Sequence, residues 1–305
     1  MAKGIAEDER ESGGAVIVKI DEKLGLKEEK YRVMVVLRSD GTALYATEDL
    51  ALARQKFQDY PDLVKSYYVV DVRQSLHFQQ VFKTLELAGY PWAAKCQHVP
   101  YELVNLPGNV VMASREGTVV LLEDLIREAT ERALAVVKEK NRELSEENQL
   151  EIARAVGIGA IKFPMLSRES NKVVTFDWES ALDFNGQAAP YIQYAYVRAN
   201  SILRKVDHVI PEDTGISYEL SQPEVTLIDL IGRMPEEIQK AARDLKPLII
   251  TTQAYELARA FNDFYTQCPV LLADEPQRST RIRLVATARQ AIANSLALLG
   301  ITAPQ

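Results

Sequence analysis

The first hundred residues alternate between short apolar runs and segments with helical spacing. Val33–Leu37 and Tyr67–Val72 have the composition of buried strands. Between them, apolar residues recur at helical spacing from about Glu48 to Gln58, and Pro61 marks the end of that helix. This order of strand, helix and strand is typical of a right-handed crossover between parallel strands. We therefore predict an α/β fold with a parallel sheet for this region.

Beyond residue 120 the hydrophobic pattern is helical. The pattern is helical from Glu123 to about Gln149, and its many charged residues indicate a solvated face. Gly157 and Gly159 fall in the next apolar segment, where the missing side chains permit close packing of helices. The polar stretch from Asp207 to Gln222 predicts a linker.

The C-terminal part carries three sets of apolar residues, spaced alternately four and three apart. Such spacing predicts amphipathic helices that bury one face against each other, as in a helical bundle. The three sets begin at Leu227, Leu257 and Leu284. The sequence therefore predicts a change from α/β to all-α along the chain.

Composition narrows the possible functions. The chain of 305 residues has 36 basic and 43 acidic residues, so its net charge of −7 does not indicate a nucleic-acid-binding protein, and any such contact requires a local patch. Cys96 and Cys268 are far apart, which excludes a Cys-x-x-Cys metal site and favours free thiols in the cytoplasm. No apolar run approaches the ~18 residues of a membrane span. The acidic N-terminus does not resemble a signal peptide.

Polar side chains follow both predicted strands of the first region. Tyr45 and Asp49 lie four residues apart at the start of the predicted helix, so both can project into one crevice. Gln74 and His77 follow the second strand, and ligands bind at this end of parallel sheets. Asp49 can equally serve as a helix-dipole partner, and His77 as a surface residue or a cap at the start of the next helix.

A second candidate site is the loop around Ser114 and Arg115. Its glycines free the backbone, while the hydroxyl and the guanidinium can clamp a triphosphate. Taken alone, Ser-Arg-Glu-Gly is a weak signal that favours a solvated loop. The sequence by itself leaves both interpretations open.

Several separated stretches, in the same order, resemble the arginyl-tRNA synthetases, a family of class I aminoacyl-tRNA synthetases. The resemblance covers nearly the whole chain. The stretches that carry it are Arg38–Ala51, Gln74–Gln80, Met112–Leu125, Pro190–Arg198, Tyr255–Tyr265 and the tail Leu298–Pro304.

The resemblance implies roles for the candidate residues of the first region. Asp49 would bind the guanidinium of substrate arginine as a charge pair, with neutral contacts from Tyr45 and Gln74. His77 would lie beside the nucleotide. Met112–Arg115 matches the catalytic Lys-Met-Ser-Lys-Ser loop, in which the resemblance makes Met112, Ser114 and Arg115 catalytic residues and Ser114 and Arg115 ligands of ATP.

This loop departs from the family pattern at two positions. Val111 stands where a lysine is often found, and Glu116 occupies a position where many members carry a basic residue. A carboxylate beside the phosphates of ATP repels them.

The resemblance also implies contacts with tRNA. Tyr194 and Tyr265 would lie near the anticodon loop, where an aromatic ring can stack on a base. Arg281, Arg283 and Arg289 can contact phosphates, although a solvated face explains them equally well. The implied organisation is a partial Rossmann-type catalytic domain (1–150), stem-contact helices (151–205) and a helical anticodon-binding domain (206–305).

The function that the resemblance implies is ATP-dependent attachment of arginine to tRNA-Arg, with Mg²⁺ accompanying ATP. No metal site of the protein itself, membrane contact or DNA contact is expected. The family's His-x-Gly-His motif is missing, because His77, His98 and His208 cannot compose it. We therefore expect a chain that begins within the catalytic domain and is inactive without an N-terminal half, which can be a separate partner. The alternative is a non-catalytic tRNA-binding protein derived from the synthetase.

Overall fold

The computed structural model describes residues 4–106, 110–111, 121–206 and 215–304. The chain divides into two compact units, Met1–Glu102 and Leu103–Gln305. The first unit contains two small sheets with helices, and the second is mainly helical.

The first unit begins with an antiparallel sheet of three strands in the order β1-β2-β3. A parallel pair of strands, β4 and β5, forms a second sheet. The elements are β1 (Glu7–Asp8), β2 (Val16–Lys19), α1 (Ile20–Lys23), β3 (Val33–Leu37), α2 (Tyr45–Asp59), β4 (Ser66–Asp71), α3 (Ser75–Leu87) and β5 (Cys96–Tyr101).

The predicted crossover between β3 and β4 is wrong. β3 pairs with β2 in the antiparallel sheet, whereas the parallel neighbour of β4 is β5, reached through α3. Apolar composition identifies a strand but does not identify the strand that will share its hydrogen bonds. The prediction of an α/β unit with a parallel sheet is nevertheless confirmed, and α2 lies within three residues of its predicted limits.

The parallel sheet buries one face against α2 and α3. Phe57, Tyr68, Phe78 and Cys96 form the centre of this core, and Phe57 stacks on Trp92 with ring centroids 4.5 Å apart. Because side chains alternate along a strand, the residues on either side of Tyr68 point the other way, and both are exposed. One face of β4 is therefore packed and the other is apolar and uncovered within this unit.

The second unit has one small sheet, in the order β7-β6-β8, and a series of long helices. Its strands are β6 (Val104–Leu106), β7 (Val110–Val111) and β8 (Val174–Thr175). Its helices are α4 (Leu122–Lys140), α5 (Glu146–Leu166), α6 (Trp178–Ala181), α7 (Ala189–Leu203), α8 (Gln222–Asp244), α9 (Pro247–Gln267) and α10 (Gln277–Leu298).

The stretch with a helical pattern from Glu123 to about Gln149 contains the end of α4 and the start of α5, because the chain turns between them. Ser145 caps α5 by accepting a hydrogen bond from the backbone of Asn148. Gly157 lets α4 and α5 approach closely, since a Cβ atom there would lie 2.8 Å from the carbonyl carbon of Ala129. The prediction that this glycine permits close packing is confirmed.

Helices α7 to α10 form the largest core of the chain. Its fully buried side chains include Leu257, Phe261, Phe264, Ile282 and Ile292. The predicted helical bundle is therefore confirmed. Across the ranges that the structure describes, no helix combines the length and the apolar character that crossing a membrane requires.

Candidate functional site

Two helix starts of the first unit bring Asp49 and His77 together. Asp49 lies one turn into α2, and His77 lies in the first turn of α3. The Oδ2 atom of Asp49 and the Nε2 atom of His77 are 2.6 Å apart, and both side chains are about one quarter exposed. The Asp49 carboxylate is therefore partly shielded from water and partly accessible to solvent.

The start of α2 is anchored to the neighbouring sheet. Thr47 donates a side-chain hydrogen bond to the backbone oxygen of Val36 in β3, while the N-cap position is occupied by Leu44. This bond fixes the turn that carries Asp49. The helix begins at Tyr45, two residues before Thr47.

Tyr45 and Gln74 lie at the same two helix starts, with their side chains in solvent. Tyr45 is the first residue of α2 and is 80% exposed. Gln74 immediately precedes α3 and is also exposed. Of the four residues predicted around arginine and the nucleotide, the structure thus joins Asp49 and His77 by a hydrogen bond and leaves the other two accessible.

An aromatic layer lies behind His77. Its ring meets Phe78 edge-on, with centroids 5.1 Å apart, and Phe78 stacks on His98 at 5.0 Å. The Nε2 atom of His98 lies 3.0 Å from the backbone oxygen of Val70, and since a carbonyl only accepts, this nitrogen donates. Burial raises the pKa of the adjacent Tyr68 to about 12. These contacts hold the His77 side of the site in place.

The exposed guanidinium of Arg73, just after the carboxyl end of β4, was not predicted from the sequence. The side chain of Asp71 accepts hydrogen bonds from the backbone and the guanidinium of Arg73. The Arg73 contacts lower the pKa of the Asp71 carboxyl to about 2. The guanidinium remains largely exposed, directly before Gln74. An Asp-x-Arg sequence at the end of a predicted strand was the available signal.

The predicted catalytic loop cannot be placed. Met112, Ser114 and Arg115, together with the unusual Glu116, lie outside the described residues. Their catalytic and ATP-binding roles stay predictions.

The two tyrosines predicted to contact tRNA meet around one guanidinium in the second unit. Tyr194 lies on α7 and Tyr265 in the last turn of α9, and both are nearly half exposed. The Cζ atom of Arg198 lies 4.7 Å from the ring centre of Tyr194 and 4.9 Å from that of Tyr265. Asn262 accepts a hydrogen bond from the same guanidinium. The arrangement presents two aromatic rings beside a fixed positive charge.

A cleft of about 310 Å³ opens beside Tyr265, and we call it the tyrosine cleft. One wall carries Arg198, Ser201 and Lys205 from α7 and the turn after it. The other wall is the segment Pro269–Leu272, in which Leu272 is 92% exposed. Cations on one side and apolar surface on the other suit a nucleotide, which has a charged phosphate and a base with a π-face.

The three arginines of α10 differ in their surroundings. Arg281 is mostly buried and donates to Glu224 at 2.8 Å, which agrees with neither of the two interpretations left open by the sequence. Arg289 lies 3.4 Å from the side-chain oxygen of Asn200. Arg283 is exposed. Among the three, Arg283 remains the accessible candidate for a phosphate contact.

Two family models match the chain, one after the other. Residues 2–178 match the model described as "tRNA synthetases class I (R), catalytic domain". Residues 192–305 match the "DALR anticodon binding domain". Since the first match spans more than half of the chain, the protein belongs to the class I tRNA synthetases, in their (R) family.

The individual relatives are arginine–tRNA ligases. The one from Clostridium botulinum (strain Alaska E43 / Type E3) is 42% identical over 294 residues, which is 95% of this chain and 50% of the relative. The one from Clostridium beijerinckii is 42% identical over 297 residues, with the same coverage. The Thermus thermophilus arginyl-tRNA synthetase structure has a TM-score of 0.87 at 32% identity, covering 99% of this chain and 55% of that chain. The chain thus spans about half the length of the curated relatives it matches.

Proposed function

We propose that this chain supplies the arginine-binding and tRNA-binding parts of an arginine–tRNA ligase, which uses ATP to attach arginine to tRNA-Arg. The observation that carries the proposal is the match to both family domains, in order, in a chain whose Asp49 carboxylate is accessible at a helix start. A bundle with paired tyrosines beside Arg198 supports the tRNA part.

Asp49 is the proposed receptor for the guanidinium of arginine. A carboxylate can accept two parallel N–H bonds from a guanidinium, and the point charge of a lysine cannot reproduce that geometry. The Nε2 atom of His77 lies 2.6 Å from the same carboxylate. Arginine therefore displaces His77 from one oxygen or shares the carboxylate with it, while Tyr45 and Gln74 orient the substrate through neutral contacts.

ATP is the proposed second substrate, with His77, Ser114 and Arg115 as its ligands and Met112 as part of the catalytic loop. Mg²⁺ enters with the phosphates of ATP. Within the described ranges, no three His, Cys, Asp or Glu side chains are grouped so that they could hold a metal ion.

The reaction of arginine with ATP, which forms arginyl-adenylate, needs the nucleotide-binding part of the catalytic domain in addition to the residues named above. No His-x-Gly-His motif occurs in the 305 residues. The face of β4 that carries Tyr67 and Val69 is apolar and exposed, as expected of a surface that packs against further protein. We propose that this part covers that face, either within the same polypeptide or as a separate chain.

The domain roles predicted from sequence are also proposals: catalytic for 1–150, stem contact for 151–205 and anticodon binding for 206–305. Cys96 and Cys268 are free and buried. Free thiols are typical of a reducing compartment, which supports the cytoplasm as the site of action.

The ligase proposal is tested by ATP–pyrophosphate exchange in the presence of arginine and tRNA-Arg. The chain alone is expected to show no exchange, and adding the nucleotide-binding half of a relative is expected to restore it. Restored exchange with arginine but not with lysine supports the proposal. If exchange stays absent while tRNA still binds, the alternative of a non-catalytic tRNA-binding protein is the better account.

Tyr265→Ala and Tyr194→Ala are each expected to weaken tRNA-Arg binding about tenfold, because base stacking on an aromatic ring contributes about 1–3 kcal/mol. Filter binding or fluorescence anisotropy gives the dissociation constants. Tyr60→Ala is the matched control, since Tyr60 is an exposed tyrosine of the first unit. Equal losses in all three variants would contradict a specific role for the pair.

A further inference from the structure

A buried carboxylate joins three segments of the helical unit. Glu224 is 1% exposed, yet both of its side-chain oxygens are fully used. Oε2 accepts from the backbone and the hydroxyl of Ser221 at 2.8 and 2.6 Å. Oε1 accepts from the hydroxyl of Tyr218 at 2.7 Å and from Nε of Arg281 at 2.8 Å. We call these four residues the Glu224 clamp.

Part of this clamp is ordinary helix capping. Ser221 is the N-cap of α8 and Glu224 occupies its third position, so the two form a reciprocal capping box. The contacts of Tyr218 and Arg281 go beyond that requirement. A cap alone does not need a buried guanidinium from α10, and burying this charge is costly unless it is paired.

The guanidinium connects the clamp to the tyrosine cleft. Nη1 of Arg281 donates to the backbone oxygen of Pro269 at 2.9 Å. Pro269 begins the Pro269–Leu272 wall, and the next residue, Val270, is buried in the bundle core. The wall is therefore attached at its start while Leu272 at its other end projects into solvent.

The position of this wall determines the width of the cleft. The facing wall lies on α7, a long helix whose inner side is packed in the core. Pro269–Leu272 lies between α9 and α10 and belongs to neither helix. Only a few contacts hold the backbone of a loop in place. The hydrogen bond from Arg281 therefore restricts the movement of this segment more than it would restrict a residue within a helix.

We infer that Glu224 and Arg281 are positioning residues for tRNA binding, which act by fixing the Pro269–Leu272 wall against which a nucleotide of tRNA is held. This inference rests on the proposed tRNA-binding function. It assigns Arg281 a role without contact to phosphate. A phosphate contact adds to the salt dependence of tRNA binding, whereas a positioning role leaves that dependence unchanged.

The test measures tRNA-Arg binding at several salt concentrations for Glu224→Gln and Arg281→Gln. Both changes are expected to raise the dissociation constant about fivefold to tenfold and to leave the slope of log K against log[salt] unchanged, since each lost phosphate contact would make that slope shallower by about 0.7–0.9. Glu219→Gln is the matched control for Glu224→Gln, because Glu219 is exposed and its replacement changes the net charge by the same amount. Wild-type affinity in Glu224→Gln, or a shallower slope in Arg281→Gln, overturns the inference.

A second readout does not depend on tRNA. A spin label on Leu272→Cys reports the mobility of the wall, and Cys96 and Cys268 are buried, so labelling is selective. Adding Glu224→Gln is expected to increase the mobility of the label, and adding Glu219→Gln is not. If Glu224→Gln fails to fold, Tyr218→Phe removes a single bond to the carboxylate and is expected to act in the same direction.

The two readouts separate the inference from the proposed function. If wild-type protein does not bind tRNA, the proposed function fails, and the spin label still decides whether the clamp holds the wall. If tRNA binds normally and the label is equally mobile in all variants, the clamp inference fails while the proposed function stands.

Discussion

Arginine binding is expected to weaken about 100-fold when Asp49 is replaced by asparagine, since hydrogen bonds to a charged group contribute about 1.5–3 kcal/mol each and a tenfold loss corresponds to about 1.4 kcal/mol. Asparagine has the same size and keeps an oxygen that can accept from His77. The loss therefore reports the negative charge together with the second acceptor oxygen that the guanidinium needs. The affinity for tRNA is expected to stay unchanged, because the proposed tRNA contacts lie in the helical unit.

Isothermal titration of the chain with arginine measures this effect. Asp59→Asn is the matched control, since Asp59 is an exposed aspartate at the other end of α2. Equal losses of arginine and tRNA affinity in Asp49→Asn would show that the change perturbs the fold. Unchanged arginine binding would remove Asp49 from the receptor.

The second large effect is expected on stability, at Glu224. Burial raises the pKa of this carboxyl, but the hydrogen bonds from Arg281, Ser221 and Tyr218 outweigh burial and lower the pKa from 4.5 to about 2. At about 1.4 kcal/mol per unit, such a shift corresponds to roughly 3 kcal/mol of folding free energy. Because the pKa is lowered on folding, this stabilisation is present above pH 4.5 and is lost as the pH falls toward 2.

Glu224→Gln is therefore expected to lower the free energy of unfolding by about 3 kcal/mol at neutral pH, since it leaves the buried charge of Arg281 without its partner. The difference from wild type is expected to shrink as the pH falls below 4.5. Urea titrations followed by helical circular dichroism measure both quantities, with Glu219→Gln as control. A difference that is independent of pH would contradict the ionised state of Glu224.

The local elements could be predicted from the sequence where one segment determines its own structure. Apolar spacing and Pro61 set the helix that became α2, and the spacing of Leu257 and its neighbours set α9. The break between α4 and α5 was missed because the charged residues on both sides favour helix equally. Ser145 followed by acidic residues was the signal for a new start.

Pairings between distant segments could not be predicted. The bond between Asp49 and His77 joins residues 28 positions apart, and that between Glu224 and Arg281 spans 57. Periodicity describes one element at a time and contains no information on which elements meet. The capping box of Ser221 and Glu224 can be predicted from the sequence, because Ser-x-x-Glu before a helix is a known start signal. The contact of Arg281 with Glu224 cannot be predicted in this way.

The central claim is that the Asp49 carboxylate receives the guanidinium of arginine, and His77 offers a direct report of it. His77 is one of three histidines, and its Nε2 atom lies 2.6 Å from the carboxylate, so its nitrogen NMR signal is sensitive to any ligand bound there. Titration with arginine is expected to shift the His77 signal to saturation, with no comparable response to lysine and none in Asp49→Asn. A signal that ignores arginine at saturation, or that responds equally to lysine, would contradict the claim.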